Sequence, residues 1–120
     1  MSSVLFDECL KALGSYKIAK LYEAKMAMAN LRLTDYGRLD FRRYKSSRGM
    51  SIAELRALGD FACCIIYNNA DLPVVKCRFK QVLDCLDDVL APAFDTWVLD
   101  EKYSRLIEFY HDGQITLAEI

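Results

Sequence analysis

The stretch FACCIIYNNADLP, Phe61–Pro73, governs the reading of the whole chain. It sets two adjacent cysteines in an apolar run, so it is either a metal or redox site or a piece of core. The residues before it supply a helical context. In SIAEL, Ser51 and Glu54 have the spacing of a capping box, in which serine takes the third amide and glutamate reaches back. The helix opened there carries Ile52, Leu55, Leu58, Ala62, Ile65 and Ile66 and ends at Asn68-Asn69. On a helix, Cys63 and Cys64 point about 100° apart and cannot converge on one ion. Cys77 and Cys85 lie on another predicted helix, and Cys9 is remote. No two-residue gap of a zinc or redox motif occurs, so the cysteines read as buried core residues.

Working outward, Ser2 or Ser3 caps a first helix bearing Leu5, Phe6, Cys9, Leu10 and Leu13, and Gly14 stops it. Ser15 opens a second helix, with Ile18, Tyr22, Met26, Ala29 and Leu33 as its inward stripe. Residues 34–49 read as loop. Asp71 or Leu72 caps a further helix with Pro73 in its first turn. That helix turns Val75, Phe79, Val82, Leu86 and Val89 inward until Pro92 ends or kinks it. Asp95 or Asp100 starts another, with Tyr103, Leu106, Ile107 and Tyr110 inward and Gly113 as its stop; Thr116 to Glu119 has the spacing of a last capping box. The expected fold is all-α: one domain over residues 1–120, a bundle of five or six helices joined by short loops.

Composition narrows the function. Of the 120 residues, 53% are hydrophobic and 28% charged, the balance of a globular protein. No apolar run approaches the roughly 20 residues of a membrane span. The opening MSSVLFDECLKALG does not read as a targeting leader, which makes a cytoplasmic protein the expectation. There is no phosphate loop, nucleophile elbow, paired histidine or calcium-loop spacing. His111 reads as a surface residue near a helix end. Asp84, Asp87 and Asp88 could hold a magnesium ion only with convergence from a second element, and they read first as surface carboxylates. The chain therefore reads as non-enzymatic, without cofactor or metal.

The net charge of −1 hides a division. Residues 1–80 hold fourteen Lys and Arg against eight acids; residues 81–120 hold two against nine. Such a dipolar chain suggests a charged partner. With Val82, Leu86 and Val89 inward, Asp84, Asp87 and Asp88 project outward, and Asp95, Asp100 and Glu101 follow at a bend. This is either a solvated face with helix-capping acids or an anionic surface for a basic groove such as a nuclease active site. Trp97 and Tyr103 among these acids fit apolar anchors of an interface; Trp97 equally fits a core plug at the bend. The segment YGRLDFRRYKSSRG interleaves Arg38, Arg42, Arg43, Lys45 and Arg48 with aromatics, which suits single-stranded nucleic acid. A pI of about 5.8 runs against that alternative, a small nucleic-acid-binding regulator.

In size, expected single helical domain, acidic patch and lack of catalytic motif, the chain resembles the small bacterial immunity proteins that neutralise colicin-type and contact-dependent-inhibition toxins. RLIEFYHDGQITLAEI, Arg105–Ile120, is similar to a helix–G-x-I-T/S-x-x-E–helix phrase of colicin-D-type immunity proteins. The resemblance implies a cytosolic inhibitor that binds one basic toxin nuclease domain and blocks its active site. The contact residues expected from charge and exposure are Asp84, Asp87, Asp88, Asp95, Trp97, Asp100, Glu101 and Tyr103.

Overall fold

The computed structural model describes residues 3–120. It overturns the all-α expectation: the centre of the molecule is a seven-stranded, wholly antiparallel sheet. In chain order the elements are α1 (Val4–Leu13), β1 (Lys17–Ile18), α2 (Leu21–Met28), a 3₁₀ turn (Phe41–Arg43), β2 (Ser46–Gly49), α3 (Ile52–Ala57), β3 (Ala62–Tyr67), β4 (Val75–Arg78), α4 (Phe79–Asp84), α5 (Leu86–Leu90), β5 (Thr96–Asp100), β6 (Arg105–Phe109) and β7 (Ile115–Glu119). The strands lie in the order β1-β4-β3-β5-β6-β7-β2.

The turning point is Gly59. The capping box at Ser51 forms as expected, Glu54 N–H donating to Ser51 Oγ at 3.1 Å and Ser51 N–H to Glu54 Oε1 at 3.0 Å. The helix does not continue through the cysteines. It stops before Gly59, whose φ of +81° is the left-handed conformation that terminates helices. Ala62–Tyr67 then runs as the strand β3, buried from Cys63 to Tyr67. An apolar run covered on both sides carries no alternation to betray a strand.

Strand alternation divides the interior in two. Cys63, Ile65, Tyr67, Val75, Val98, Ile107 and Leu117 pack beneath α1, α3, α4 and α5, with Phe6, Cys9, Leu55, Phe79, Val82 and Val89. Cys64, Ile66, Val74, Trp97, Leu99, Leu106 and Ala118 face the other way, under Ala27 of α2, Leu39 and Tyr44. The result is three layers: helices, sheet, then one helix with an irregular segment.

Other expectations change for the same reason. The helix placed from Asp95 or Asp100 to Tyr110 is β5, a turn and β6. The phrase Arg105–Ile120 is the β6–β7 hairpin, not helix–turn–helix; Asp112-Gly113 is its turn, where Tyr110 N–H donates to Gln114 O at 3.0 Å. KSSRG contains the edge strand β2 rather than loop. Pro73 precedes a strand. The helix expected after Ser15 shortens to α2, preceded by β1. Ser3 caps α1, its Oγ accepting from Phe6 N–H at 3.2 Å, and Gly14 ends it with φ +76°. Ser2 lies outside the described residues.

Candidate protein-docking surfaces

The eight residues expected to meet a partner do not form one surface. Phe79, Val82, Leu83 and Val89 turn α4 and α5 inward, which leaves Asp84, Asp87 and Asp88 exposed on the outer side of the first helical layer. They rim a shallow depression of about 280 Å³. Asp84 meets Arg56 of α3 at 3.5 Å, a long contact between half-exposed side chains. Among the described residues, the carboxylates of Asp87 and Asp88 have no ion pair or hydrogen bond. Exposed Asp7 and Glu8 lie on α1, which packs against α5.

Three of the expected contacts are interior. Asp95 accepts from His111 N–H at 2.9 Å and from its ring Nδ1 at 3.0 Å. Asp100 accepts from the amides of Ser104 and Arg105 at 2.7 and 3.0 Å and so closes the β5–β6 turn. Trp97 is buried in the second core, where Nε1–H donates to Glu108 at 3.1 Å. The core-plug reading of Trp97 is therefore the correct one, and Asp95 and Asp100 are turn-fixing groups rather than surface charges. Glu101 and Tyr103 sit in the β5–β6 turn, beside a groove of about 230 Å³ between α2 and the sheet that Ala27, Cys64, Val74 and Lys76 also line. Tyr103 adopts φ +56°, unusual for a non-glycine residue.

The basic segment is partly committed within the molecule. Arg38 donates from Nε to Glu108 at 2.9 Å and from Nη2 to Gln114 at 2.9 Å, and its guanidinium lies 4.3 Å from the Tyr110 ring centroid. Arg42 pairs with Asp40 at 3.1 Å, holding that carboxyl below its usual range. Arg48 approaches Glu54 at 4.0 Å. Arg43 is exposed, and its carbonyl accepts from Arg32 at 2.6 Å. Tyr44, one of the interleaved aromatics, is buried; its hydroxyl donates to Asn30 O at 2.7 Å and accepts from Arg32 N–H at 2.8 Å.

The cysteines are all free. Adjacent Cys63 and Cys64 point to opposite faces of the sheet, and Cys63 faces Cys77 in register across β3 and β4. Burial pushes the Cys64 thiol up to about 12 and that of Cys85 to about 11. Cys77 is lowered by the hydrogen bond from Cys63. No group of three His, Cys, Asp or Glu among the described residues is placed to hold a metal ion.

Two features escaped the sequence. Glu108, one acid among nine in its third of the chain, is fully buried and ties together Leu39 N–H (2.8 Å), Trp97 and Arg38. The second is α2. The stripe read as inward, Ile18, Tyr22 and Met26 with Leu33, is outward; Ala24 and Ala27 face the sheet instead. The available signal was the alanines: small residues let a helix lie close on a sheet, and they recur at three-residue spacing.

A sheet covered on both faces leaves exposed charged and apolar side chains on both outer layers, and such patches are surfaces that another protein can meet. The family model described as CdiI immunity protein, EcoliA0-like, matches residues 3–118, and the chain belongs to that family. It is a toxin-neutralising immunity protein of the contact-dependent-inhibition type, and its partner is a cognate toxin protein. No curated protein sequence matches the chain.

Proposed function

We propose that the protein acts without catalysis, by laying its α4–α5 face over the basic active site of a nuclease toxin. The supporting observation is that Asp87 and Asp88 stand exposed with no cation paired to them among the described residues, beside Asp84 and its long contact to Arg56. A nuclease must present cations to phosphates, and a row of carboxylates presents the same charge to those cations. Long-range attraction speeds encounter; carboxylates that become desolvated against Arg or Lys then slow release. Asp7 and Glu8 on the neighbouring helix widen the field. The nucleic-acid alternative is weakened because Arg38 and Arg42 already serve Glu108 and Asp40.

The test replaces Asp84, Asp87 and Asp88 together by lysine and measures binding to the cognate toxin domain and suppression of its nuclease activity. The expected result is a loss of binding of about a hundredfold or more, with the Trp97 fluorescence of the folded state retained. Variants that protect as well as the parent would place the contact elsewhere; a toxin domain without nuclease activity would remove the substrate class.

A further inference from the structure

α2 is built inside out. A helix on a sheet normally turns its large apolar side chains inward. Here Ala24 and Ala27 face the sheet, while Leu21 is 73% exposed and Tyr22 62%, with Met26 and Met28 also outward. Folding gains little from such an arrangement, whereas an interface gains from tyrosine and adaptable methionine. Exposed Lys17, Lys20 and Lys25 surround the patch. The one acid of the segment, Glu23, is engaged by Lys76 at 2.7 Å and by the Lys20 amide at 2.9 Å.

We propose that this face docks on the acidic layer of a second copy of the chain, head to tail. The argument is charge complementarity. The outer side of α1, α4 and α5 carries Asp7, Glu8, Asp84, Asp87 and Asp88 against Lys11 and Lys80, with Arg56 of α3 beside it, together with exposed Val4 (69%) and Leu5 (47%). One layer is apolar and basic, the other apolar and acidic, and the sheet lies between them. A two-fold pairing of α2 with itself would instead bring six lysines together. Because the two surfaces differ and lie on opposite sides of the sheet, the contact is heterologous and continues as a ring or a chain of copies. The acidic layer is the one assigned above to the toxin, and the inference rests on that reading for its consequence: toxin and second copy compete, so toxin binding dissolves the assembly.

The probe is the protein itself, by sedimentation velocity at rising concentration in about 50 mM and about 500 mM salt. The expected result is a mass that grows with concentration at low salt and returns to the monomer at high salt. The triple variant Lys17→Glu, Lys20→Glu, Lys25→Glu stays monomeric yet neutralises toxin. The triple variant Asp84→Lys, Asp87→Lys, Asp88→Lys is also monomeric alone, and an equimolar mixture of the two variants associates. A wild-type monomer under every condition overturns the proposal, as does a monomeric mixture or an association that survives in either variant. Loss of toxin binding in the α2 variant gives that face to the toxin and overturns it too. If the aspartate variant loses self-association but keeps toxin inhibition, self-docking stands and the toxin contact proposed above fails.

Discussion

Glu108 holds the second layer to the sheet. Its carboxylate takes three donors from three places: a backbone amide at Leu39, the indole of Trp97 and the guanidinium of Arg38. With it absent, the Leu39 amide and the Trp97 N–H are left buried without an acceptor, each at about 1–3 kcal/mol. Glu108→Ala is expected to destabilise the protein by about 3–5 kcal/mol, read as a lower urea midpoint. The single tryptophan, Trp97, reports the transition directly. Glu108→Gln keeps part of the acceptor set and falls between. A change below about 1 kcal/mol for the alanine variant would show that the 34–44 segment docks without this group. In the sequence Glu108 is one more member of an acidic third; its role depends on Arg38, seventy positions away.

Among the elements, α2 and β3 were read with the wrong face and the wrong type. Both are apolar on more than one side, so periodicity could not orient them. Their packing makes opposite predictions for adjacent positions. Ala27 is buried against the sheet, and Ala27→Asp, which would bury a carboxylate there, is expected to cost at least about 1–3 kcal/mol. Met26, one residue earlier, points outward, and Met26→Ser is expected to change stability by no more than about 0.5 kcal/mol. Urea denaturation of the two variants checks this. Equal losses would mean that α2 is rotated from its described orientation. For β3, the legible signal was Gly59: a capping box at Ser51 followed eight residues later by glycine and aspartate is a complete short helix, and the run beyond it belongs to another element.

At the scale of the whole molecule, the charge division of the sequence becomes a division between layers, but not a simple one. Asp84, Asp87 and Asp88 remain outside, whereas Asp95, Asp100 and Glu108 are drawn into turns and core. The layers also enclose thiols that must stay neutral. Burial raises Cys64 from its ordinary 9.0 to about 12; Cys63 is also raised, by its hydrogen bond to Cys77 and by burial. Below pH 9 both folded and unfolded chains hold these protons, so the thiols do not oppose folding. Above it the unfolded chain ionises first and binds fewer protons, and stability falls as pH rises from 9 toward 12. The slope from Cys64 is about 1.4 kcal/mol per pH unit at most, opposed in direction by the lowered Cys77. Under reducing conditions the melting temperature should fall between about pH 9 and pH 11, and Cys64→Ala should flatten that fall. A melting temperature independent of pH in this range would show that the buried thiols do not control it.

Taken by itself, the sequence determined the helix start at Ser51, the helix stop at Gly14, the absence of metal-binding cysteine spacing and the charge division, because capping, turns and composition are settled within a few residues. Its likeness to toxin-immunity proteins also held, and the family match agrees with it. The sheet, the outward face of α2 and the burial of Asp95, Trp97, Asp100 and Glu108 were decided only by tertiary structure. A strand's hydrogen bonds go to partners as distant as Cys63 and Asp100, and the side of a helix or an acid that is hidden depends on what the rest of the chain brings against it.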